Sequence, residues 1–191
     1  MRVIAGRAKG RRLYGPVAGT RPITDRAKES LFSILGARVE NARFLDLFAG
    51  TGAVGIEALS RGAEYVTFIE NSKQAVKTIY RNLTHTQLGE YAEVIVADVF
   101  KFLAGHATPF DTIFMAPPQY QELWSKTLQL IDGCPQWLTP GGMTIVQIDP
   151  NEHCQLNLSN LILHDTRRYS NVMLCFYKRT VSQDDTPSKY H

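Results

Sequence analysis

Long hydrophobic runs are missing from this sequence. No stretch reaches the roughly 18 to 20 consecutive apolar residues that a membrane-crossing helix needs, although hydrophobic residues make up 44% of the chain. The opening MRVIAGRAKGRR carries charges with no apolar segment behind them, so it lacks the pattern of a secretory signal. A cytoplasmic protein with no membrane partner is expected. Cysteine is scarce as well: Cys134, Cys154 and Cys175 are three in number, with neither CxxC spacing nor clustered histidines. That argues against a disulfide framework or a metal site and leaves buried thiols as the expected role. Biased tracts and internal repeats are also absent. With 191 residues, 20% of them charged, the composition is that of an ordinary globular chain with one main domain and one active site, expected to work as a monomer.

Acid is nearly missing from the first 28 positions. Arg2, Arg7, Lys9, Arg11, Arg12, Arg21, Arg26 and Lys28 face Asp25 alone, while the net charge of the whole chain is only +3. A solvated face is the plain explanation, but such a concentration is also the pattern of a polyanion-binding surface. Residues 2 to 14 alternate loosely between apolar and basic, broken by Gly6 and Gly10, which predicts a short hairpin carrying arginines outward. Gly15, Pro16, Gly19 and Pro22 then make a loop. From Thr24 the pattern turns helical: Thr24 or Asp25 can cap, Ala27, Leu31, Ile34 and Leu35 share a stripe, and Gly36 ends it. Residues 1–40 are thus a basic hairpin-and-helix extension.

Residues 41–180 alternate strand-like and helix-like segments. ARFLDLF, YVTFIE, AEVIVAD, FDTIFMA and GMTIVQID read as strands. AVGIEALSRG, SKQAVKTIYRNLTH and QELWSKTLQLID read as helices between them. Strands apolar on both faces and separated by helices predict an α/β domain with a parallel sheet covered on each side, doubly wound in the Rossmann-like manner. LILHDTRRY and VMLCFYK lie a turn apart, so the final pair is antiparallel. The tail, 181–191, is polar.

Between the first strand and first helix, Asp46 is followed by Gly50, Gly52 and Gly55, a Gly-x-Gly-x-x-Gly that lets a ligand approach the backbone. The spacing alone also fits a dinucleotide site. However, the loop has no lysine or arginine, and an acid near a pyrophosphate would be repelled. S-adenosylmethionine has the opposite demand, an ammonium and a sulfonium with no phosphate. Asp46, Phe48, Gly50 and Gly52 are therefore candidate donor-binding residues. Glu70, at the end of the second strand with Asn71 after it, can accept both ribose hydroxyls. Asp98, ending the third strand, can accept from an adenine amino group and is equally placed to cap the next helix.

The fourth strand ends in Ala116, Pro117, Pro118, Gln119 and Tyr120. Two prolines make a stiff loop at the ligand-binding edge. A carbonyl held there can accept from an exocyclic amine, and Tyr120 can stack on a planar base.

Taken together, the sequence resembles the RsmD family of small-subunit ribosomal RNA guanine-N2 methyltransferases. The resemblance rests on Arg2-Val3-Ile4-Ala5-Gly6 with Lys9-Gly10-Arg11-Arg12-Leu13, on Arg21-Pro22-Ile23-Thr24-Asp25-Arg26 with Glu29-Ser30-Leu31-Phe32, and on Asp46-Leu47-Phe48-Ala49-Gly50-Thr51-Gly52. It implies a seven-stranded sheet, donor binding by Asp46, the glycine loop, Glu70 and Asp98, and transfer to a guanine of 16S RNA, free or in a small-subunit assembly intermediate. The basic residues Arg2, Arg7, Lys9, Arg11, Arg12, Arg21 and Arg26 are the candidate RNA contacts. One departure falls on the catalytic motif. Where the family pattern has Asp-Pro-Pro followed by an aromatic, this chain has Ala116-Pro117-Pro118-Gln119-Tyr120, losing the carboxylate and moving the aromatic by one. Gln119 is the expected substitute acceptor. A catalytically impaired RNA-binding or assembly factor, or a methyltransferase for a planar amine of DNA or protein, is the alternative.

Overall fold

Runs of branched and aromatic residues build the frame. In the computed structural model, which describes residues 1–15 and 23–180, they form β1 (Arg43–Leu47), β2 (Tyr65–Glu70), β3 (Ala92–Val96), β4 (Phe110–Met115), β5 (Leu138–Ile148), β6 (Leu161–Tyr169) and β7 (Val172–Arg179). Their order across one sheet is β3-β2-β1-β4-β5-β7-β6. The first five run parallel, and β7 is antiparallel to both β5 and β6. The chain winds outward from β1 to β3, then crosses back to β4 and continues the other way. That reversal between β1 and β4 opens a crevice at their carboxyl ends.

The helices are α1 (Asp25–Leu35), α2 (Ala53–Ser60), α3 (Lys73–Thr86), α4 (Val99–Leu103) and α5 (Leu123–Gly133). Side chains alternate between the two faces of a strand, and the core divides accordingly. Phe44, Phe68, Phe114 and Ile145 pack with residues of α1, α2 and α3. Leu45, Leu47, Ile69, Ile113 and Val146 pack with residues of α4 and α5 on the other face. The sheet is therefore doubly wound and mostly parallel, as the sequence pattern predicts. β3 departs from burial on both faces because it is an edge strand: Glu93 and Val96 are exposed.

Three local expectations also change. β5 starts at Leu138, ahead of Gly142, with its pairing to β4 shifted between Phe110 and Thr112. The expected hairpin shrinks to one antiparallel bridge, Arg2 to Arg12, supported by Val3 N–H to Arg11 O at 3.0 Å. Of the three thiols only Cys175, inside β7, is buried; Cys134 follows α5 and is half-buried, and Cys154, beyond β5, is exposed.

Thr24, and not Asp25, caps α1, its hydroxyl accepting from Ala27 N. Val3, Ala8 and Leu13 of the front segment lie in the same apolar layer as α1 and α2. Pro16, Gly19 and Pro22 of the expected loop, the candidate RNA contact Arg21, and the tail 181–191 lie outside the described residues. Among the described residues no helix is long and apolar enough to cross a membrane.

Candidate active site

Where β1 ends, the backbone turns back on itself within five residues. Phe48, Gly50 and Gly52 all have positive φ, 56°, 57° and 75°. For phenylalanine this is a strained conformation, of a kind that persists where surrounding contacts over-determine it and that clusters at ligand sites. Gly52 N–H donates to Ala49 O at 2.8 Å, and Ala49 N–H to Ile69 O at 3.1 Å, so the loop is anchored to β2. Gly55 has a different task. A Cβ there would stand 2.3 Å from the Phe68 ring, so the third glycine lets α2 lie close on the sheet.

Asp46 is buried and accepts from Gly55 N in the first turn of α2 at 3.0 Å. Burial pushes its carboxyl up to about 8, the Gly55 N–H pulls it down, and the charge of Glu70 pushes it up again. Burial makes the ionised form costly, and a cation placed beside Asp46 is what favours that form. Glu70 Oε2 accepts from Gly50 N at 2.8 Å and its Oε1 from Ser72 N at 2.8 Å. Each oxygen retains a second acceptor site, so Glu70 both fixes the glycine loop and can take ribose hydroxyls. Asn71 follows it, exposed. Ala97 N–H donates to Glu70 O at 3.2 Å, aligning the ends of β2 and β3. Asp98 caps α4 by accepting from Lys101 N at 3.1 Å, which realises one of its two expected roles.

β4 lies beside β1, with Met115 opposite Leu47, so Ala116 to Tyr120 leave the sheet next to the glycine loop. Pro117 is buried, Ala116 and Gln119 are half-buried, and Tyr120 is 67% exposed. Tyr120 adopts φ 60° and Glu122 φ 54°. The Tyr120 N–H donates to Glu152 Oε1 at 2.7 Å. The parallel strand ends thus bring together Asp46, Phe48, Gly50, Gly52, Glu70, Asn71, Asp98 and residues 116 to 120 along one edge. Three acids and a loop without a basic residue fit a cationic nucleoside better than a pyrophosphate.

The basic front divides into two groups. Arg7 lies over the Tyr91 ring, 4.8 Å from its centroid, and donates to Leu59 O. Arg11 donates to His85 O and Gln87 Oε1. These two tie the front segment to α2 and α3. Arg2, Lys9, Arg12 and Arg26 are exposed, Arg2 with Asp25 3.4 Å away. Lys28, counted from sequence with the phosphate-facing segment, is instead fully buried against Glu57 at 3.2 Å.

Three residues that position the site were not among the candidates. Glu57 accepts from Ile4 N and Ala5 N as well as from Lys28 and Arg61. Asn82 donates to Thr51 O and Tyr14 O and accepts from Tyr14 N, joining the glycine loop, α3 and the front segment. Each is a large polar residue among the mostly apolar buried positions of its helix, with Ser60 and Thr86 as the other polar members, and that is the legible signal. Glu152, beyond β5, had none.

The model of the family described as "Conserved hypothetical protein 95" matches residues 1–178. The chain is 37% identical over 184 residues to YlbH of Bacillus subtilis (strain 168), covering 94% of this chain and 99% of that one. It is 33% identical over 180 residues to Ribosomal RNA small subunit methyltransferase D of Escherichia coli (strain K12), covering 94% and 90%. The solved structure of Escherichia coli yhhF superposes with a TM-score of 0.85 at 32% identity, over 95% of this chain and 99% of that one. With a family model matched over nearly its whole length and a shared fold, the chain belongs to the Conserved hypothetical protein 95 family, the RsmD family that its sequence resembles.

Proposed function

We propose that this protein is a ribosomal RNA methyltransferase that uses S-adenosylmethionine and acts on the exocyclic N2 amine of a guanine in 16S RNA. The observation that carries this reading is the pair Asp46 and Glu70 around a glycine loop free of lysine and arginine, beside the rigid Ala116-Pro117-Pro118 segment. Bound there, the donor supplies a methyl group made electrophilic by a positively charged sulfur. Asp46 favours the cation, Glu70 takes ribose hydroxyls and orders Gly50, and Asp98 faces the adenine end. Phe48, Gly52 and Asn71 complete the cradle.

A guanine amine is a weak nucleophile because its lone pair is delocalised into the ring. Acceptors on its N–H bonds let it rehybridise as it attacks, and most of the rate comes from alignment and local electrostatics. The Ala116 or Pro117 carbonyl serves one N–H, a second acceptor serves the other, and Tyr120 stacks on the base. The exposed Arg2, Lys9, Arg12 and Arg26, with Arg21, meet phosphates, while Arg7 and Arg11 hold the segment that presents them. The substrate is RNA, alone or in an assembling small subunit, in the cytoplasm, and the enzyme acts as a monomer. The test is nucleoside mass spectrometry of ribosomal RNA from cells with and without the gene, where loss of N2-methylguanosine is expected. A second reading, a catalytically impaired RNA-binding factor, is favoured by Ala116 alone. A large gain in turnover on Ala116→Asp would support it. Label entering DNA or protein in preference to RNA would reassign the substrate.

A further inference from the structure

The methyl-acceptor segment has lost the carboxylate of its own motif at Ala116, yet a carboxylate from another part of the chain is bonded to that segment. Glu152 closes the short turn Pro150–Glu152 that follows β5. β5 is the neighbour of β4, with Met115 opposite Val146, so this turn leaves the sheet at the same edge as Ala116 to Tyr120. The turn is well braced, since Asp149 Oδ1 accepts from Asn151 N at 2.9 Å. Glu152 Oε1 takes the Tyr120 N–H at 2.7 Å. Its second oxygen, Oε2, is buried and has no hydrogen-bond partner among the described residues. A carboxylate oxygen withdrawn from water without a donor is costly and is uncommon in folded proteins.

We propose that Glu152 is a catalytic residue and replaces the missing motif acid: the entering base turns residues 119 to 122 aside and sets an amine N–H on Oε2. This inference rests on the reading above that a planar amine is the acceptor. Tyr120 and Glu122, neither of them glycine, both hold positive φ, the kind of local strain that clusters at ligand clamps and switch segments. In the transfer, the amine nitrogen forms the new bond to carbon with its lone pair. The pair of the broken carbon–sulfur bond stays on sulfur, and the surplus N–H proton passes to the Glu152 carboxylate and then to water. Glu152 supplies negative charge where positive charge develops on nitrogen, which a neutral Gln119 does not.

Glu152→Gln is the decisive variant, because its amide oxygen can still accept from Tyr120 N while its amide nitrogen opposes the amine with a second donor. Single-turnover methylation of RNA is expected to fall on the order of 100-fold. Calorimetric affinity for S-adenosylhomocysteine should stay within about twofold, since Asp46 and Glu70 are untouched, whereas affinity for the RNA target with that product bound should drop on the order of tenfold, the scale of one lost hydrogen bond. Adding Ala116→Asp to Glu152→Gln is expected to restore at least about tenfold in rate, the acid having been returned to the motif. Turnover of Glu152→Gln within threefold of the parent overturns the assignment, as does joint loss of product affinity and Tm, which marks a structural role. A parent protein that binds S-adenosylhomocysteine but methylates no RNA overturns the proposed function itself, and is told apart because no variant is needed to see it.

Discussion

Lys28 Nζ stands 3.2 Å from Glu57 Oε2, and both side chains are wholly buried. The pair joins α1 to α2 beneath the front segment. Glu57 also accepts from Ile4 N at 2.8 Å and Ala5 N at 3.0 Å, and Arg61 Nε lies 2.8 Å from Oε1. The carboxylate is thus satisfied from four directions, the condition under which a buried ion pair is tolerated. Through α2 it also bears on the glycine loop.

Lys28→Met removes one partner and leaves Glu57 with Arg61 and two N–H donors. Because those remain, the expected loss is about 3 kcal/mol, the low end for a broken buried pair, or about 6–12 °C in Tm. Urea denaturation checks it, and an unchanged midpoint would show that the pair contributes nothing net.

Gly6 and Gly10 both sit at positive φ, 79° and 83°, yet they predict different outcomes. A Cβ on Gly6 would lie 1.7 Å from Ser60 O, whereas one on Gly10 meets nothing within 4 Å. Gly10→Ala should cost only the backbone strain, about 1–2 kcal/mol. Gly6→Ala adds a backbone clash, which brings the cost to at least about 3 kcal/mol and loosens the front segment from α2. Equal costs in thermal denaturation would contradict this packing.

Asp46 sets a pH dependence of unusual sign. Its carboxyl rises from 3.8 to about 8 on folding, chiefly through burial. Between those values the folded chain keeps a proton that the unfolded chain has released. This group's contribution is therefore full below about pH 4 and declines until the pH passes about 8. Asp46→Asn should flatten that part of the stability profile. A cationic ligand beside Asp46 favours its ionised form, so binding at pH 7 should release close to one proton. Calorimetry in buffers of different ionisation heat measures this, and binding without proton release would remove Asp46 from the cation's surroundings.

RNA affinity should fall with salt, with a slope of about −0.7 per phosphate contacted. Lys9→Ala and Arg12→Ala should each reduce that slope by about 0.7, because both residues are exposed. Point changes are the right probe, since Val3, Ala8 and Leu13 belong to the core and a deletion would open it. Arg11→Ala should act more on stability than on slope, its guanidinium being held by His85 O and Gln87. Unchanged slopes for Lys9 and Arg12 would take the front segment out of the RNA path.

Much of the site could be read directly because it lies at strand ends, where local pattern and sheet geometry coincide. The candidates Asp46, Gly50, Gly52 and Glu70 are legible from their order after apolar runs, and the structure joins two of them through the hydrogen bond from Gly50 N to Glu70. Glu152 was not legible. It lies more than 30 residues beyond Tyr120, after an intervening helix and strand, and only the β4–β5 pairing brings it back. Charge counted along a sequence carries no information on burial, which is why Lys28 counts there with the phosphate-facing residues although it is buried. Its place three residues before Leu31, on the stripe of α1, was the signal that pointed inward.

The sequence alone determined the periodicities, and with them the alternation of strands and helices, the parallel core of the sheet and the acid-flanked glycine loop. These depend on neighbours a few residues apart, which share one local geometry. Tertiary structure alone decided which charges face water, which arginines act as struts, and which carboxylate reaches the Ala116 segment. Those outcomes depend on contacts between distant elements, and only packing the two faces of the sheet brings such residues together.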